Sequence, residues 1–358
     1  MPRPNQYLDK IDRVDLDNKS RKGFLKLDKN ENHSGLPKDF VKNVLSEIDP
    51  DMLATYPEYG KVKQKIAKHV GLKPENISLS NGSDSSIMYI YKTYVQERDK
   101  IITTDPTFAM YPIYSKIFNA DTIMIPYKSL DLFPKKEFTS AINKDIKLTV
   151  IVNPNNPTGS FVDLHYIEEV IKKAKQYDSI VIVDEAYYYY SKKVNTAVDL
   201  VKKYDNLIVL RTFSKLFSMA TLRIGYAIAD KKIVDNLRKV KPTFDVDGLS
   251  VLFAEKILDR DDIINNLIDQ DKKGKQYLAE KLKQEGINYK ISNANFVLIN
   301  CKDRVKEIIE KLEKEKILVG GGFKQEYLKN YIRVSTCKEQ YMDEFWNKFI
   351  KIWRENEQ

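Results

Sequence analysis

The sequence predicts an α/β protein in which a mostly parallel sheet lies between helices and a smaller α+β domain follows it. Six short runs rich in β-branched residues alternate with helical stretches between residues 77 and 210, as the buried strands of a parallel sheet do. Polar, turn-forming segments directly follow these runs, at the strand ends where open α/β sheets bind ligands. After about residue 243 the pattern changes to long helices with isolated strands, which indicates the second domain.

Along the chain, the first predicted elements are helices rather than strands. Residues 1–35 are polar and irregular, which is typical of a disordered tail or of an arm that needs a partner to order it. A helical pattern covers residues 36–70, with an interruption at 55–60. Strands are then predicted at 77–80, 100–103, 122–125, 148–152, 179–183 and 207–210.

The last third of the chain has its own order of predicted elements. One continuous helix is predicted over residues 251–285, and an amphipathic helix begins at about residue 338. Between them the pattern predicts a strand at 295–300, a helix at 303–316 and a strand at 331–335. We therefore assign an arm and part of the small domain to residues 1–49, the large ligand-binding domain to 50–243, and the small C-terminal domain to 244–358.

Composition and charge favour a globular enzyme over several other classes. The 358 residues suffice for two domains, and 42% apolar with 31% charged residues is ordinary for a soluble globular protein. The net charge of +9 is spread along the chain without a basic block, so nucleic-acid binding is not expected. No run approaches the roughly 18 apolar residues of a membrane span, and the first residues lack the apolar core of a signal peptide.

Cysteine and histidine usage predicts a reducing cytoplasm and disfavours metal chemistry. Cys301 and Cys337 lie far apart in the sequence and do not have the spacing of metal ligands. The histidines His33, His69 and His165 are scattered and show no ligand pairing. We therefore expect a cytoplasmic protein without a metal site.

Lys215 is the strongest candidate for a functional residue. It follows Ser214, shortly after an apolar strand run, and Arg223 stands eight residues further on. A lysine in this position suits a Schiff base with an aldehyde cofactor that carries a phosphate, because burial and nearby positive charge lower the pKa of an amine. The competing interpretation is a loop at a strand end with ordinary surface charges.

Other polar residues stand where they need a partner. Asp184 ends a buried strand, where a carboxylate is costly unless it is paired, although it could equally cap a helix. Arg333 lies on a predicted strand and is costly there without an anion. Residues 81–84 open a helix, whose free N–H groups bind anions but are also typical of an ordinary N-cap. Residues 153–159 directly follow a strand, and their prolines and glycine fit a plain turn as well as a site.

Together these segments resemble the fold type I enzymes that use pyridoxal 5′-phosphate (PLP), and among them the aminotransferases similar to histidinol-phosphate aminotransferase. The resemblance covers about residues 25–345, with the motifs in the family's order. It implies that Lys215 carries the cofactor and moves a proton between Cα and C4′, and that Asp184 pairs with the pyridine nitrogen. The residues implied to hold the cofactor's phosphate are Thr212, Ser214 and Arg223.

The same resemblance assigns further residues to the site. It implies that Tyr187 and Asn156 hydrogen-bond the phenolic oxygen of PLP and that Phe108 stacks on its ring, although a single aromatic residue by itself is more often part of a core. Arg333, with Asn156 beside it, is implied to bind the substrate's carboxylate or phosphate. The remaining implied contacts to the cofactor phosphate come from the backbone amides of Ser83 and Asp84 and from Tyr56, which reaches into the neighbouring subunit's site. The resemblance therefore implies a homodimer with shared active sites.

The sequence departs from the family at two places. Thr221 stands where the family usually has glycine. Residues 320–322 are three glycines in the segment where histidinol-phosphate aminotransferases carry a further arginine. Glycines suit a flexible loop or a close backbone approach, but they bring no charge. Lys324 and Lys329 are the two candidates for replacing that charge.

The predicted function is a PLP-dependent aminotransferase that moves an amino group between an amino acid donor and a small carbonyl acceptor, for which a phosphorylated compound is one candidate. The alternative is a PLP-dependent decarboxylase of an O-phospho-amino acid, serine or threonine phosphate. Such decarboxylases tend to have phenylalanine where Tyr187 stands, so the tyrosine favours transamination. A non-enzymatic PLP-binding module of a transcription factor would need a winged-helix segment, for which residues 1–35 are too short and irregular.

Overall fold

The fold is that of a computed structural model, which describes residues 5–11, 20–191, 193 and 195–355. Its strands are β1 Leu25–Leu27, β2 Ile77–Ser80, β3 Lys100–Asp105, β4 Asp121–Pro126, β5 Ile146–Val152, β6 Ile180–Asp184, β7 Leu207–Thr212, β8 Gly225–Ala229, β9 Tyr289–Ile291, β10 Phe296–Asn300, β11 Ile317–Val319 and β12 Tyr331–Ser335. Its α-helices are α1 Lys38–Leu45, α2 Pro50–Ala54, α3 Gly60–His69, α4 Gly82–Tyr94, α5 Met110–Ile117, α6 Lys135–Ala141, α7 Leu164–Lys175, α8 Lys231–Val240, α9 Gly248–Ile257, α10 Asp261–Gln284, α11 Val305–Lys314 and α12 Glu339–Arg354.

A central sheet of seven strands has the order β2-β8-β7-β6-β5-β3-β4. Six strands run in one direction, and β8 is antiparallel to both of its neighbours, β2 and β7. The predicted mostly parallel sheet is therefore confirmed. Strand β8 itself was not predicted, because Gly225, Ala227 and Ala229 give a weak strand signal although every residue of β8 is buried.

Helices cover both faces of this sheet, which explains why an inner strand such as β6 is apolar up to its last residue. On one face, Val181 and Val183 of β6 belong to a core that includes Ile66 of α3. On the other face, Ile182 belongs to a core that includes Ile87 of α4. Successive side chains of a strand point to opposite faces, so a strand that separates two apolar cores must be apolar at every position.

A smaller three-stranded antiparallel sheet, in the order β12-β10-β9, and the parallel pair β1–β11 form the rest of the β structure in the described residues. They share an apolar core with α10, α11 and α12, to which Leu278, Ile308 and Phe345 contribute. Phe40 of α1 and Ile264 of α10, by contrast, belong to the core of the large sheet. The domain limits at 49/50 and 243/244 stay predictions.

Two sequence-based expectations differ from the structure. Residues 251–285 form two helices, α9 and α10, rather than one; Arg260 leaves the helical conformation, and Asp261 and Asp262 then begin α10. The apolar pattern continues across this break, so periodicity alone does not reveal it. Leu25–Leu27 of the predicted irregular arm forms strand β1, while residues 1–4 and 12–19 lie outside the described part of the chain. In the described residues, no helix is long and apolar enough to cross a membrane.

The sheet brings several predicted site residues to one edge. Asp184 is the last residue of β6 and Thr212 the last residue of β7, and Gly82 begins α4 directly after β2. These three strands run in the same direction, so their carboxyl ends lie at the same edge of the sheet. Ligands bind to open α/β sheets at this edge.

Candidate active site

One cavity at the carboxyl edge of the large sheet collects most of the predicted site residues. Asn156 and Arg333 lie beside it, because Asn156 hydrogen-bonds Tyr187 and Arg333 hydrogen-bonds Asn156. Tyr56 lies elsewhere, 75% exposed, in a cavity formed by parts of residues 51–58 and 248–255. The predicted residues that line the main cavity are Ser83, Asp84, Phe108, Asp184, Tyr187, Thr212, Ser214, Lys215 and Arg223.

Asp184 is a buried carboxyl group at one wall of this cavity, with only 3% of its surface exposed. The hydroxyl of Tyr111 donates to its Oδ2 at 2.9 Å, and the backbone N–H of Ala186 donates to its Oδ1 at 3.1 Å. Burial raises the pKa of Asp184 to about 6, although these hydrogen bonds and the charge of Lys215 act in the opposite direction. A carboxylate in this state gains most from a cationic N–H partner placed in the cavity.

Tyr187 presents its hydroxyl group between two side-chain amides. Asn30 donates to the phenolic oxygen at 2.9 Å and Asn156 donates at 3.1 Å. A hydroxyl has two acceptor lone pairs and one proton, so two donors leave the proton of Tyr187 free to point elsewhere. Since Tyr187 lines the cavity, an oxygen atom held there is a suitable acceptor.

Lys215 extends its amine to the same cavity from the loop that follows β7. Its Nζ lies 5.7 Å from the centre of the Tyr187 ring and donates a hydrogen bond to the backbone oxygen of Lys29 at 2.9 Å. The side chain is half-buried, and the residues on either side of it, Ser214 and Leu216, are buried. The packing of its neighbours therefore holds the lysine in place while its amine reaches the cavity.

Arg223 lies against the first turn of α4, where glycines make room for it. A Cβ atom on Gly82, whose φ is +77°, would lie 2.6 Å from Nη2 of Arg223, and one on Gly225 would lie 2.5 Å from the amide nitrogen of Ser83. Arg223 also donates to the hydroxyl of Ser214 at 3.3 Å. A guanidinium group, a hydroxyl and the amides of a helix N-terminus thus converge on one place, which is suited to a phosphate.

The departure from the family at Thr221 leaves this arrangement intact. Thr221 is exposed, on the turn that precedes Arg223. The guanidinium of Arg223 donates to the backbone oxygen of Ala220 at 3.0 Å, within the same turn. Arg223 itself has a positive φ of 47°, so this short turn directs the arginine towards α4 without a glycine at position 221.

Arg333 of β12 is a cation whose side-chain hydrogen bonds, within the described residues, go only to neutral oxygen atoms. Its Nη1 donates to Oδ1 of Asn156 at 2.5 Å, and its Nη2 donates to the backbone oxygen of Asp28 at 2.6 Å. Its Nε is buried and finds no hydrogen-bond partner in the described residues. Burial lowers the pKa of Arg333 from its ordinary value. A cation in these surroundings is a suitable partner for a carboxylate or a phosphate.

Four residues at or beside the site were not predicted from the sequence. Asn30 has 1% of its surface exposed and donates to Tyr187, and Tyr111 donates to Asp184. Glu185 follows Asp184, and its Oε2 lies 2.8 Å from Nη2 of Arg211, the residue before Thr212; both side chains are almost fully buried. This ion pair links the ends of β6 and β7, and therefore fixes the positions of the two neighbouring site residues. The only sequence signal for it is two opposite charges placed directly at the ends of apolar runs.

The cavity fits the chemical groups of PLP. Asp184 suits the pyridine nitrogen, the proton of Tyr187 suits the phenolic oxygen, the amine of Lys215 suits the aldehyde, and the cradle around Arg223 suits the phosphate. Gly82 and Gly225 belong to this cradle, and a Cβ atom on either of them would occupy part of its space. The fold and this arrangement together define a fold type I PLP-dependent enzyme.

Comparison with known proteins identifies the family. The family model "Aminotransferase class I and II" matches residues 22–349. A histidinol-phosphate aminotransferase from Thermoanaerobacter sp. is 35% identical over 319 residues, covering 87% of this chain and 89% of the relative. One from Clostridium novyi is 34% identical over 340 residues and covers 91% of each chain. The histidinol-phosphate aminotransferase from Sinorhizobium meliloti, in complex with PLP, has the same fold, with a TM-score of 0.83 at 21% identity over 92% of this chain and 91% of that one.

The chain therefore belongs to the aminotransferase class I and II family, and it is a PLP-dependent aminotransferase. The prediction of class, fold and cofactor is confirmed. Nothing in these comparisons favours the alternative of a PLP-dependent decarboxylase.

Proposed function

We propose that Lys215, Asp184 and Tyr187 are the catalytic residues of the amino-group transfer. The observation that carries this proposal is the single cavity in which the amine of Lys215, the carboxyl of Asp184 and the hydroxyl of Tyr187 meet. When bound there, PLP supplies an aldehyde that combines with amines and a pyridinium ring that withdraws electrons from the bond broken at Cα.

The residues around the cavity have separate roles in holding this cofactor. The guanidinium of Arg223, the hydroxyls of Thr212 and Ser214, and the amides of Ser83 and Asp84 would bind its phosphate. Asp184 would accept a hydrogen bond from the pyridine N–H and keep that nitrogen protonated. Phe108, which also lines the cavity, would cover one face of the ring.

The amine of Lys215 is in place to move the proton of the reaction. We assign it the removal of a proton from Cα of the substrate and its return at C4′ of the cofactor, as general base and then general acid. Tyr187 donates its own proton to the phenolic oxygen, because Asn30 and Asn156 already occupy its two lone pairs. Arg333, held by Asn156, orients an anionic group of the substrate.

The substrates that we propose are an amino acid donor and a small phosphorylated carbonyl acceptor of the kind that histidinol-phosphate aminotransferases use. The names of the relatives support this proposal, and so does the arginine held only by neutral oxygen atoms. To test it, candidate amino compounds are added to PLP-loaded enzyme without an acceptor. We expect one equivalent of carbonyl product per site from histidinol phosphate and from the natural donor. Release of CO₂ with retention of the amine would instead indicate a decarboxylase, and no product from any amino compound would contradict transamination.

We further propose a homodimer in which each subunit contributes Tyr56 to its partner's site. Tyr56 and Phe244 are exposed aromatic residues whose rings stack 4.2 Å apart, beside a cavity outside the main site. Exposed aromatic residues of this kind are typical of surfaces that another protein covers.

Mixing two impaired variants tests this arrangement. Hybrid dimers of Tyr56→Ala and Lys215→Ala subunits would have one doubly defective site and one intact site, so activity should rise well above that of the separate variants. Mixing Lys215→Ala with Asp184→Asn is the matched control, since these residues line the same cavity of one chain. An equal lack of recovery in both mixtures, with subunit exchange verified, would contradict shared sites.

A cytoplasmic location also belongs to the proposal. It is supported by two free cysteines, Cys301 and Cys337, both buried, as suits a protein kept in reducing surroundings. Cell fractionation is the corresponding measurement, and recovery of the protein outside the cytoplasmic fraction would contradict this location.

A further inference from the structure

A second cavity adjoins the proposed substrate side of the site. Its lining includes Phe108, Asn156 and Arg333, and also Phe323 and Lys324. It is therefore continuous with the arginine that we assign to an anionic group of the substrate. Phe323 and Lys324 belong to the segment that follows the three glycines at 320–322.

A side chain at either of the first two glycines would crowd its neighbours. Gly320 exchanges backbone hydrogen bonds with Arg333 at 2.9 and 2.7 Å, and a Cβ on Gly320 would lie 3.2 Å from Nη2 of Arg333. A Cβ on Gly321 would lie 2.6 Å from Cδ1 of Ile309 in α11. Side chains at these positions would displace Arg333 or the packing of α11. Gly322 has open space, but its φ of +71° strains any other residue.

Of the two lysines that could replace the missing charge, only one lines this cavity. Lys329 is committed to Glu326, with its Nζ 2.5 Å from Oε1. Lys324 is exposed at the rim and forms no ion pair with the described residues. The next residue, Gln325, donates to Oδ1 of Asp105 at 2.6 Å, which anchors the segment to the end of β3. The hydrogen bond of Gln325 therefore fixes the backbone next to Lys324, which lines the cavity.

We infer that Lys324 binds an anionic group at the end of the substrate that is distant from the reacting amine, and that it is a specificity-determining residue. This inference rests on the proposed function of the main site. Phe108 and Phe323 offer apolar surface for the carbon skeleton, while Lys324 and Arg333 supply the two positive charges. The ammonium group acts as a point charge, so both a carboxylate and a phosphate suit it. The resulting preference is for substrates with a second anion over matched substrates without one.

The test uses two pairs of compounds that differ in the distal anion. Glutamate is compared with glutamine, and O-phosphoserine with serine, in PLP-loaded wild type and in Lys324→Gln. We expect kcat/KM for the anionic member of at least one pair to fall by about tenfold, through KM, which is a typical size for a lost charge-assisted contact. The neutral members should be nearly unaffected. The pair for which kcat/KM falls shows whether the distal anionic group of the natural substrate is a carboxylate or a phosphate.

Matched variants and a binding measurement complete the test. Lys324→Arg should restore the preference, and Lys329→Gln should leave it as in wild type, because Lys329 pairs with Glu326 on the same segment. Calorimetric binding of succinate should weaken in Lys324→Gln, while binding of butyrate should not. Equal effects on charged and neutral compounds, or none on either, would overturn the inference. Failure of the proposed function would look different, since wild type would then give no product with any amino compound.

Discussion

Replacing Lys215 with alanine should abolish turnover and remove the visible absorbance of the lysine-linked cofactor. If Lys215 has the two roles that we propose, the variant loses both the amine that carries the cofactor and the group that moves the proton, so we expect a decrease in kcat on the order of 10⁴ or more. The measurements are an absorbance spectrum after addition of PLP and a steady-state assay with the donor and acceptor that the proposed screen of amino compounds selects.

The matched control for this prediction is Lys215→Arg. Arginine keeps a positive charge and can still donate to the backbone oxygen of Lys29, but its guanidinium stays protonated and is a poor nucleophile and base. If Lys215 had only a structural role, arginine would restore activity. A Lys215→Ala enzyme that retained the absorbance band and cycled at a normal rate would contradict the assigned mechanism.

Lys215 and Asp184 could be recognised from the sequence because each stands at the end of a short apolar run. At such places a charged side chain is conspicuous, and the parallel strands carry it to the edge where ligands bind. The strands themselves were predictable for the same reason, since β6 and β7 are buried on both faces. In this part of the chain, the local sequence pattern therefore predicts both the strands and the edge of the sheet at which the charged residues lie.

Asn30 and Tyr111 could not be recognised, because their roles depend on contacts across long sequence separations. Asn30 reaches Tyr187, and its backbone N–H donates to Ser335, 305 residues away. Tyr111 is fully buried on α5, and in the sequence it is indistinguishable from a core aromatic residue. Only the hydrogen bond to Asp184 connects Tyr111 with the proposed site.

The three glycines at 320–322 show a different limit of sequence reasoning. In the sequence they appear as the loss of a charge, which weakens the case for an anionic substrate. In the structure, a Cβ on Gly320 would crowd Arg333 and one on Gly321 would crowd Ile309, so the absence of side chains leaves room for these neighbours. The distance between a glycine and a side chain on a neighbouring strand is fixed by tertiary packing, which no local pattern contains.

Asp184→Asn should slow turnover by a factor on the order of 10³ and yet not destabilise the apoenzyme at neutral pH. The loss of turnover is expected because asparagine cannot hold a positive charge on the pyridine nitrogen, and a misplaced electrostatic partner typically has an effect of this size. Cofactor should still bind through the cradle around Arg223. Steady-state kinetics and PLP titration give the two quantities separately.

The stability part of this prediction follows from the raised pKa of Asp184. Burial raises it from 3.8 to about 6, so the folded state prefers the protonated carboxyl, and the stability from this preference is lost as the pH rises through about 6. Two pKa units correspond to a loss on the order of 3 kcal/mol between pH 4 and pH 6. Asparagine does not titrate, so the Asp184→Asn variant does not lose this stability as the pH rises. The unfolding free energy of apo Asp184→Asn, minus that of apo wild type, should therefore increase over this pH range and then level off.

A second substitution checks that Asp184 is the group responsible for the pH dependence. The hydroxyl of Tyr111 donates to the carboxylate and lowers its pKa, so Tyr111→Phe should move the window to higher pH. In the Asp184→Asn background the same substitution should leave the pH dependence unchanged. Denaturant unfolding of the four apo proteins, from pH 4 to pH 8, makes this comparison. A stability difference independent of pH would contradict a raised pKa of Asp184 in the folded protein.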